Sequence, residues 1–353
     1  LVLDRSYREI ARVRADGFKG DHHEFLITSR DTALILIFDE VGADLSRAGG
    51  RTDGAAIEGV IQEIDIATGE VLFEWHSLDY VAPEESYTEL SPDQPGAYDY
   101  FHVNSIDVDD DDNLLVSAKA VNTIYKIDRR TGEVIWRLGG KKSDFEMGPD
   151  TRFVRQHDAR RQADGTITLF DNGEPETYKE SFGMVLELDM DDMTAELARR
   201  YTHPDGIYAD NQANMQVLPD GNVFIGWGSE PFFSEFSGDG QLLYSANLPP
   251  EAESYRAFRY PWSGQPLDKP AVAAESGSND ETSVYVSWNG ATEVANWQVL
   301  AGPGPDQLTP TGSAVPRDGF ETSIPVNTSE SHVSVQGRDS SDKVLGTSET
   351  IEL

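Results

Sequence analysis

Ile64-Asp65-Ile66-Ala67-Thr68-Gly69-Glu70-Val71 and Ile127-Asp128-Arg129-Arg130-Thr131-Gly132-Glu133-Val134 are one pattern written twice. In each, an apolar run meets an Asp, a Thr-Gly turn comes next, and a second apolar run ends in Trp75 or Trp136. Asp and Thr side chains bond to their own turn and Gly accepts a positive φ, so both stretches read as β-hairpins. A weaker copy runs from Leu186 to Leu197. Upstream of each lies another hairpin, from Asn104 to Ser117, His157 to Phe170 and Ala213 to Trp227, turning at Asp112-Asn113, Asp164-Gly165 and Asp220-Gly221. Helix signals are nearly absent between them.

Working outward, each unit holds four strands, and the units recur at roughly 40–45 residues, the spacing of propeller blades. Residues 22–76, 102–138, 156–201 and 213–248 form four such units, and residues 1–14 read as an orphan outer hairpin. The fold class expected is therefore all-β, a β-propeller with four to five blades visible. A blade preceding Leu1 would account for the shortfall. Composition changes near residue 265: the β-propeller covers 1–264, residues 265–270 read as a Pro-containing linker, and 271–353 alternate as a small fibronectin-III/Ig-like β-sandwich.

Composition limits the function. Asp plus Glu number 63 against 28 Lys plus Arg, a formal charge of -35. A nucleic acid or an anionic membrane surface needs a cationic footprint, so neither is expected as a partner. Zero cysteines exclude disulfides, thiolate nucleophiles and Cys-based metal sites. No apolar run is long enough to insert in a membrane. The chain starts at Leu1 and reads as truncated, so a missing signal peptide says nothing about destination.

The hairpin turns serve as a ruler. Eight residues before Asp31, Asp112, Gly165 and Gly221 lie His23, Asn104, His157 and Ala213. Ten before lie Asp21, His102, Arg155 and Asn211. Residues two apart on a strand share a face, so these side chains are expected at one mouth of a central channel. The following strand ends there too, at Ser117 to Lys119, Asp171-Asn172 and Trp227 to Ser229. Three of the seven histidines fall in register, with Arg155 and Lys119 beside them. Three His with Asp21 suit a divalent ion, and so a metal-dependent hydrolase or lyase. The cations favour an anionic group instead, with imidazole as the nucleophile in covalent transfer. A non-catalytic propeller holding an anionic or phenolic ligand, or a protein partner, is the third reading.

Other motifs are weaker. Asp107-Val108-Asp109-Asp110-Asp111 begins like a calcium loop but lacks its Gly and Glu, and reads as a charged turn. Gly139-Gly140-Lys141-Lys142 lacks Walker A spacing and reads as a loop or a substrate contact. Glu174 and Glu176 read as a surface pair. His22 reads as the exposed neighbour of an inward His23. His76, His203 and His332 have no repeat equivalents. Asn327-Thr328-Ser329 is a formal glycosylation sequon.

Phe101-His102-Val103-Asn104-Ser105-Ile106, Leu115 to Lys119, Ile124 to Asp128 and Trp136 to Phe145 resemble the arylsulfotransferase (ASST) family in its actinobacterial and fungal form. Gln156-His157-Asp158-Ala159, Phe170 to Gly173, His23-Glu24-Phe25 and Ser287 to Thr292 resemble it too. The resemblance spans essentially the whole chain. It implies a six-bladed propeller that passes a sulfuryl group from an aryl sulfate donor to a phenolic acceptor, with no nucleotide and no cofactor. It makes His157 the nucleophile, His102 and Asn104 the holders of the sulfuryl oxygens, and His23 a further active-site histidine. Lys119 stands where the family usually has Arg; Asp171 and Asn172 join the substrate-binding set, and Arg155 joins it from the register alone. A secreted or cell-surface location goes with the resemblance; oligomeric state does not.

Overall fold

The computed structural model describes residues 1–92, 95–174, 180–276 and 281–353. It divides into two compact units, one of residues 13–259 and one of residues 1–12 with 260–353. No helix among the described residues is long and apolar enough to cross a membrane.

The smaller unit begins with the hairpin β1 (Val2–Leu3) and β2 (Glu9–Ala11). The larger unit then builds its first sheet from β3 (Gly20–Ile27), β4 (Thr32–Ala43), β5 (Gly54–Asp65) and β6 (Val71–His76), with β7 (Tyr98–Asp99) parallel to β5. The second sheet is β8 (Val103–Val108), β9 (Leu114–Ala118), β10 (Thr123–Ile127) and β11 (Val134–Gly139). Next, β12 (Glu146–Met147) lies parallel to the last strand of a third sheet, β13 (His157–Arg161), β14 (Ile167–Asp171), β15 (Phe182–Asp189) and β16 (Thr194–Thr202). The fourth is β17 (Asn214–Val217), β18 (Val223–Gly226), β19 (Phe232–Phe236) and β20 (Leu242–Asn247).

The repeated turn explains the hairpins. Asp65 Oδ1 accepts the Thr68 amide at 2.7 Å, and Asp128 Oδ1 accepts that of Thr131 at 2.9 Å. Trp75 Nε1 donates to the Gly132 carbonyl at 3.0 Å, so the tryptophan of one unit clamps the turn of the next. Both faces of the middle strands are buried. Leu114 and Val116 of β9 join the core shared with the first sheet, whereas Leu115 joins the core shared with the third. Phe170 turns the same way toward Met215, Ile225 and Trp227 of the fourth. Two buried faces make continuous apolar runs, which is why strict alternation is weak here.

The expected propeller is not what forms. The sheets remain separate, none closes into a barrel or propeller, and no six-bladed ring is present among the described residues. The physical reason lies after Asn247. In place of a fifth hairpin, one extended segment lies along β17, with Asn214 Nδ2 donating to the Ala257 carbonyl and Asn214 Oδ1 accepting the Ala257 amide, both at 2.8 Å. Gly226 permits this, because a Cβ there would stand 2.8 Å from the Ala257 nitrogen.

In the smaller unit, β21 (Ala271–Ser276) and β22 (Glu281–Ser287) form a three-stranded sheet with β26 (Glu321–Asn327). The other sheet holds β23 (Asn296–Gly302), β24 (Thr309–Pro310) and β25 (Val315–Pro316). Strands β27 (His332–Arg338), β28 (Val344–Thr347) and β29 (Ile351–Glu352) complete it. Val284 and Ile324 of one sheet share an apolar core with Trp297 and Val335 of the other.

Candidate functional site

The first residue of the site in each sheet is set by a side-chain relay between neighbouring edge strands. Glu24 Oε2 of β3 accepts the Ile106 amide of β8 at 3.3 Å. Ser105 Oγ of β8 accepts the Ala159 amide of β13 at 3.1 Å, and Asp158 Oδ2 of β13 accepts the Met215 amide of β17 at 3.1 Å. Asn214 does the same for Ala257 at 2.8 Å. These four side chains each stand one residue after a ruler position, His23, Asn104, His157 or Ala213. The relay therefore extends the register by one step and makes Tyr255 the fifth member of the set.

Buried charge locks the relay. Glu24 pairs with Arg160 at 2.6 Å and with Arg256 at 2.8 Å, and Asp158 pairs with Arg160 at 2.7 Å. A buried carboxylate is tolerable only with such partners.

Several of the expected site residues meet. The His23 ring lies 5.2 Å from that of His102 and 5.2 Å from Tyr255, and the His157 ring lies 6.4 Å from Tyr255. His102 and Arg155 hold ruler-equivalent places and both have left-handed backbones, φ 49° and 58°. That conformation is uncommon outside Gly and breaks the strand, turning both side chains toward the cavity. The cavity encloses about 400 Å³ and is lined by His102, Lys119 and Arg155 with Asp99, Tyr87 and Glu174. His157 and His23 are not among its lining residues. Asn104 is wholly buried, donates to the Gln156 carbonyl at 2.7 Å, and keeps an unpartnered Oδ1.

Each histidine has a different partner. His23 Nδ1 contacts Asp21 Oδ1, and His102 Nδ1 stands 2.5 Å from Asp99 Oδ2. His157 Nδ1 instead meets Asn172 Oδ1 at 2.7 Å and the Arg155 carbonyl at 3.1 Å. Asn172 Nδ2 donates to the carbonyls of Ala209 and Gln212, at 2.9 and 3.1 Å, so its oxygen must face His157. Both partners of His157 Nδ1 are acceptors. The proton is therefore on Nδ1 and the lone pair on Nε2, where the Gln212 amide donates at a long 3.3 Å. Burial, then the nearby Lys119, His102 and His23, hold the His157 imidazole well below the usual range against the raising effect of Asn172.

The cations have local counter-charges. Arg155 pairs with Asp210 at 2.9 Å. Burial, and next Arg155, push the Lys119 ammonium down, while Asp210 and Asp99 act the other way. Asp171 is buried; its Oδ1 accepts the Val154 and Gly173 amides at 2.8 and 3.0 Å, and burial raises its carboxyl to about 7. It braces the loop carrying Arg155 and does not line the cavity.

The weaker motifs are structural. Asp109 pairs with Lys126 and Arg161, each at 2.8 Å. Lys141 donates to the carbonyls of Glu84 and Ser86, and Lys142 pairs with Glu85 at 2.8 Å. His22 is exposed, Glu174 lines the cavity, and Glu176 lies outside the described residues. Sequence reasoning missed Asp99, Asp210, Gln212 and Tyr255. Asp99 precedes His102 by three residues, a spacing that announces no contact by itself; Tyr255 has no turn after it, so the ruler could not reach it.

The family model described as arylsulfotransferase (ASST) matches residues 1–248. No curated protein matches the chain. Similar solved structures include a Bacteroides caccae protein of unknown function, 15% identical, covering 82% of this chain and 89% of that one, with a TM-score of 0.35. A catalytically inactive virginiamycin B lyase from Staphylococcus aureus with quinupristin is 11% identical over 92% and 83% of the chains, with a TM-score of 0.35. Hydrazine synthase from Kuenenia stuttgartiensis is 15% identical over 73% and 67%, with a TM-score of 0.32. Likenesses at these scores decide neither architecture nor chemistry.

Proposed function

The chain belongs to the arylsulfotransferase (ASST) family, and on that premise we propose that it moves a sulfuryl group from an aryl sulfate to a phenol through His157, without a nucleotide. Family membership carries a transferase-type function in general; the histidine route is the finer reading. The observation that supports it is the pairing of His157 Nδ1 with two acceptors, which leaves a neutral ring with its lone pair on Nε2. A neutral imidazole nitrogen is the form that attacks sulfur.

In the first half-reaction Nε2 forms an N–S bond as the S–O bond to the aryl group breaks. The departing phenolate takes a proton from the ring of His102 or His23, whose Nδ1 faces a carboxylate. Lys119, Arg155 and His102, which line the cavity, bind the sulfuryl oxygens, where fixed cations and donors act on developing charge, while Asn104 is buried behind them and positions Gln156. In the second half-reaction the phenol returns its proton to that imidazole, its oxygen bonds to sulfur, and the N–S pair goes back to Nε2. Asp171 and Asn172 position rather than react. The Gln212 amide must turn away from Nε2 before attack. Lys119 supplies charge without the two-pronged geometry of Arg, which predicts weaker orientation of the oxoanion. A secreted or cell-surface location belongs to this proposal, and Asn327 of the sequon is exposed at the end of β26.

One observation favours a second reading. His157 does not line the cavity, as suits a non-catalytic binder of anionic phenolic ligands. Incubation with 4-nitrophenyl sulfate and a phenol acceptor separates the two. Transfer requires nitrophenol release that is lost in His157→Ala, and an acid-labile sulfo-histidine detected by mass spectrometry. Release that persists in His157→Ala refutes the histidine route. A thermal shift with the ester but no release supports the binder.

A further inference from the structure

We propose that Asp21, His22 and His23 form a binding site for one divalent transition-metal ion of the zinc type. The chemistry of sulfuryl transfer leaves His22 unused, yet the backbone is distorted to bring it to its neighbours. In β3, Gly20 pairs with Ile37 but Phe25 pairs with Ile35, so the residues between them bulge from the ladder. Successive side chains of a regular strand point to opposite faces. Across this bulge the rings of His22 and His23 stack instead, with centroids 4.4 Å apart and planes 30° apart. Bulges re-aim side chains in this way beside functional sites.

The carboxylate of Asp21 spans both rings. Its Oδ2 lies 3.5 Å from His22 Nδ1, and its Oδ1 contacts His23 Nδ1. One ligand atom from each of the three residues falls within 4.8 Å of the others. Zinc bonds of about 2.0–2.1 Å in tetrahedral geometry place ligand atoms roughly 3.3–3.5 Å apart. The His22–Asp21 separation already has that value, and the ion would replace the hydrogen bond between Asp21 and His23. Two imidazoles and one carboxylate suit zinc, not the oxygen-seeking calcium or magnesium. Glu24 cannot join, because both of its oxygens are held by arginines. The His22 side chain is 75% exposed, which gives the ion entry and leaves room for water as a further ligand. Tyr255 stands edge-on to both rings, at 5.8 and 5.2 Å, and fixes their planes. The second group of this kind, Asp109-Asp110-Asp111, is different: Lys126 and Arg161 already occupy Asp109.

The site uses Nδ1 of His23, so with the ion bound the proton-donor role in the transfer proposal falls to His102, which is not a ligand here. The test needs no activity. Protein stripped of metal is titrated with Zn²⁺ by calorimetry and with Co²⁺ by visible absorption. The expected result is one ion per chain, weakened at least about tenfold by His22→Ala and by Asp21→Asn, and unchanged in His332→Ala. Melting temperatures without metal check that the variants fold; His22 is exposed, so His22→Ala keeps its packing. Wild type that takes up neither ion, or His22→Ala that binds as tightly as wild type, overturns the proposal.

Discussion

Asp171→Asn should make the protein more stable at alkaline pH and nearly unchanged at acidic pH. Asp171 ends β14 with no exposed surface. Its Oδ1 accepts two backbone amides, while Oδ2 is buried with no partner. Burial raises the carboxyl to about 7, against about 3.9 in an unfolded chain. Between these values the native state holds a proton that the unfolded state has released, so stability falls as pH rises through the window. A shift of about three units amounts to about 4 kcal/mol in full. Of this, about 1.5 kcal/mol is already lost at pH 5 and the remaining ~2.5–3 kcal/mol by pH 9. Asn keeps the acceptor for both amides and cannot ionise. The gap between variant and wild type should widen by that ~2.5–3 kcal/mol, or roughly 5–10 °C in melting temperature for a unit of this size. Scanning calorimetry of both proteins from pH 5 to 9 reads it directly, since other titrating groups cancel in the difference. A gap that stays constant with pH would mean that Asp171 ionises normally, and the burial argument would fail.

Three other perturbations test the same wiring. Asn172→Asp puts a charge against His157 Nδ1 and should move the acid limb of the donor pH–rate profile upward; wild type should keep activity well below the ordinary histidine range, because its imidazole is held neutral. The same depression costs stability as pH falls below about 6.5, where the unfolded state gains the proton first; an acid-side melting slope missing in His157→Gln would show it. Glu24→Ala leaves Arg160 and Arg256 with a carboxylate fewer and should destabilise by about 3 kcal/mol, read by urea denaturation; a loss under about 1 kcal/mol would show that Asp158 suffices. Lys119→Arg should raise affinity for a sulfate ester, whereas Lys119→Met should raise KM by about tenfold or more; equal KM in both variants would remove Lys119 from the site.

The hairpins were legible because Asp-Thr-Gly turns act within a few residues. Asp65 and Asp128 cap their own turns through equivalent bonds, so the strands beside them could be placed without tertiary information. Ring closure was not legible, because it depends on the chain beyond Asn247. There the backbone runs on as a single edge segment, and no local signal distinguishes that from the start of another hairpin. The same gap hid Tyr255, which the relay from Asn214 to Ala257 reveals only in three dimensions. Asp99 is a different omission. Its pairing with His102 requires the left-handed backbone at His102, and nothing about histidine as a residue type announces that conformation.

The net charge of -35 looks hostile to an anionic ester, yet the counter-charges are distributed unevenly. Glu24 and Asp158 are consumed by Arg160 and Arg256 behind the site, so these four charges largely cancel there. Lys119 and Arg155 line the cavity itself, with Asp99 turned to His102 and Asp210 to Arg155. An incoming sulfate would have to compete with Asp210 for Arg155, but it meets Lys119 with no carboxylate in hydrogen-bond contact among the described residues. On the proposed function, Lys119 is therefore the cation most available to the ester. Screening acts on the distant surface acids far more than on a partly buried ammonium. Ester affinity should thus rise modestly with salt as the global repulsion fades, the opposite of what a surface-bound anion shows. A titration of binding against ionic strength in the His157→Ala protein would expose a steep fall, and that result would place the ester outside the cavity.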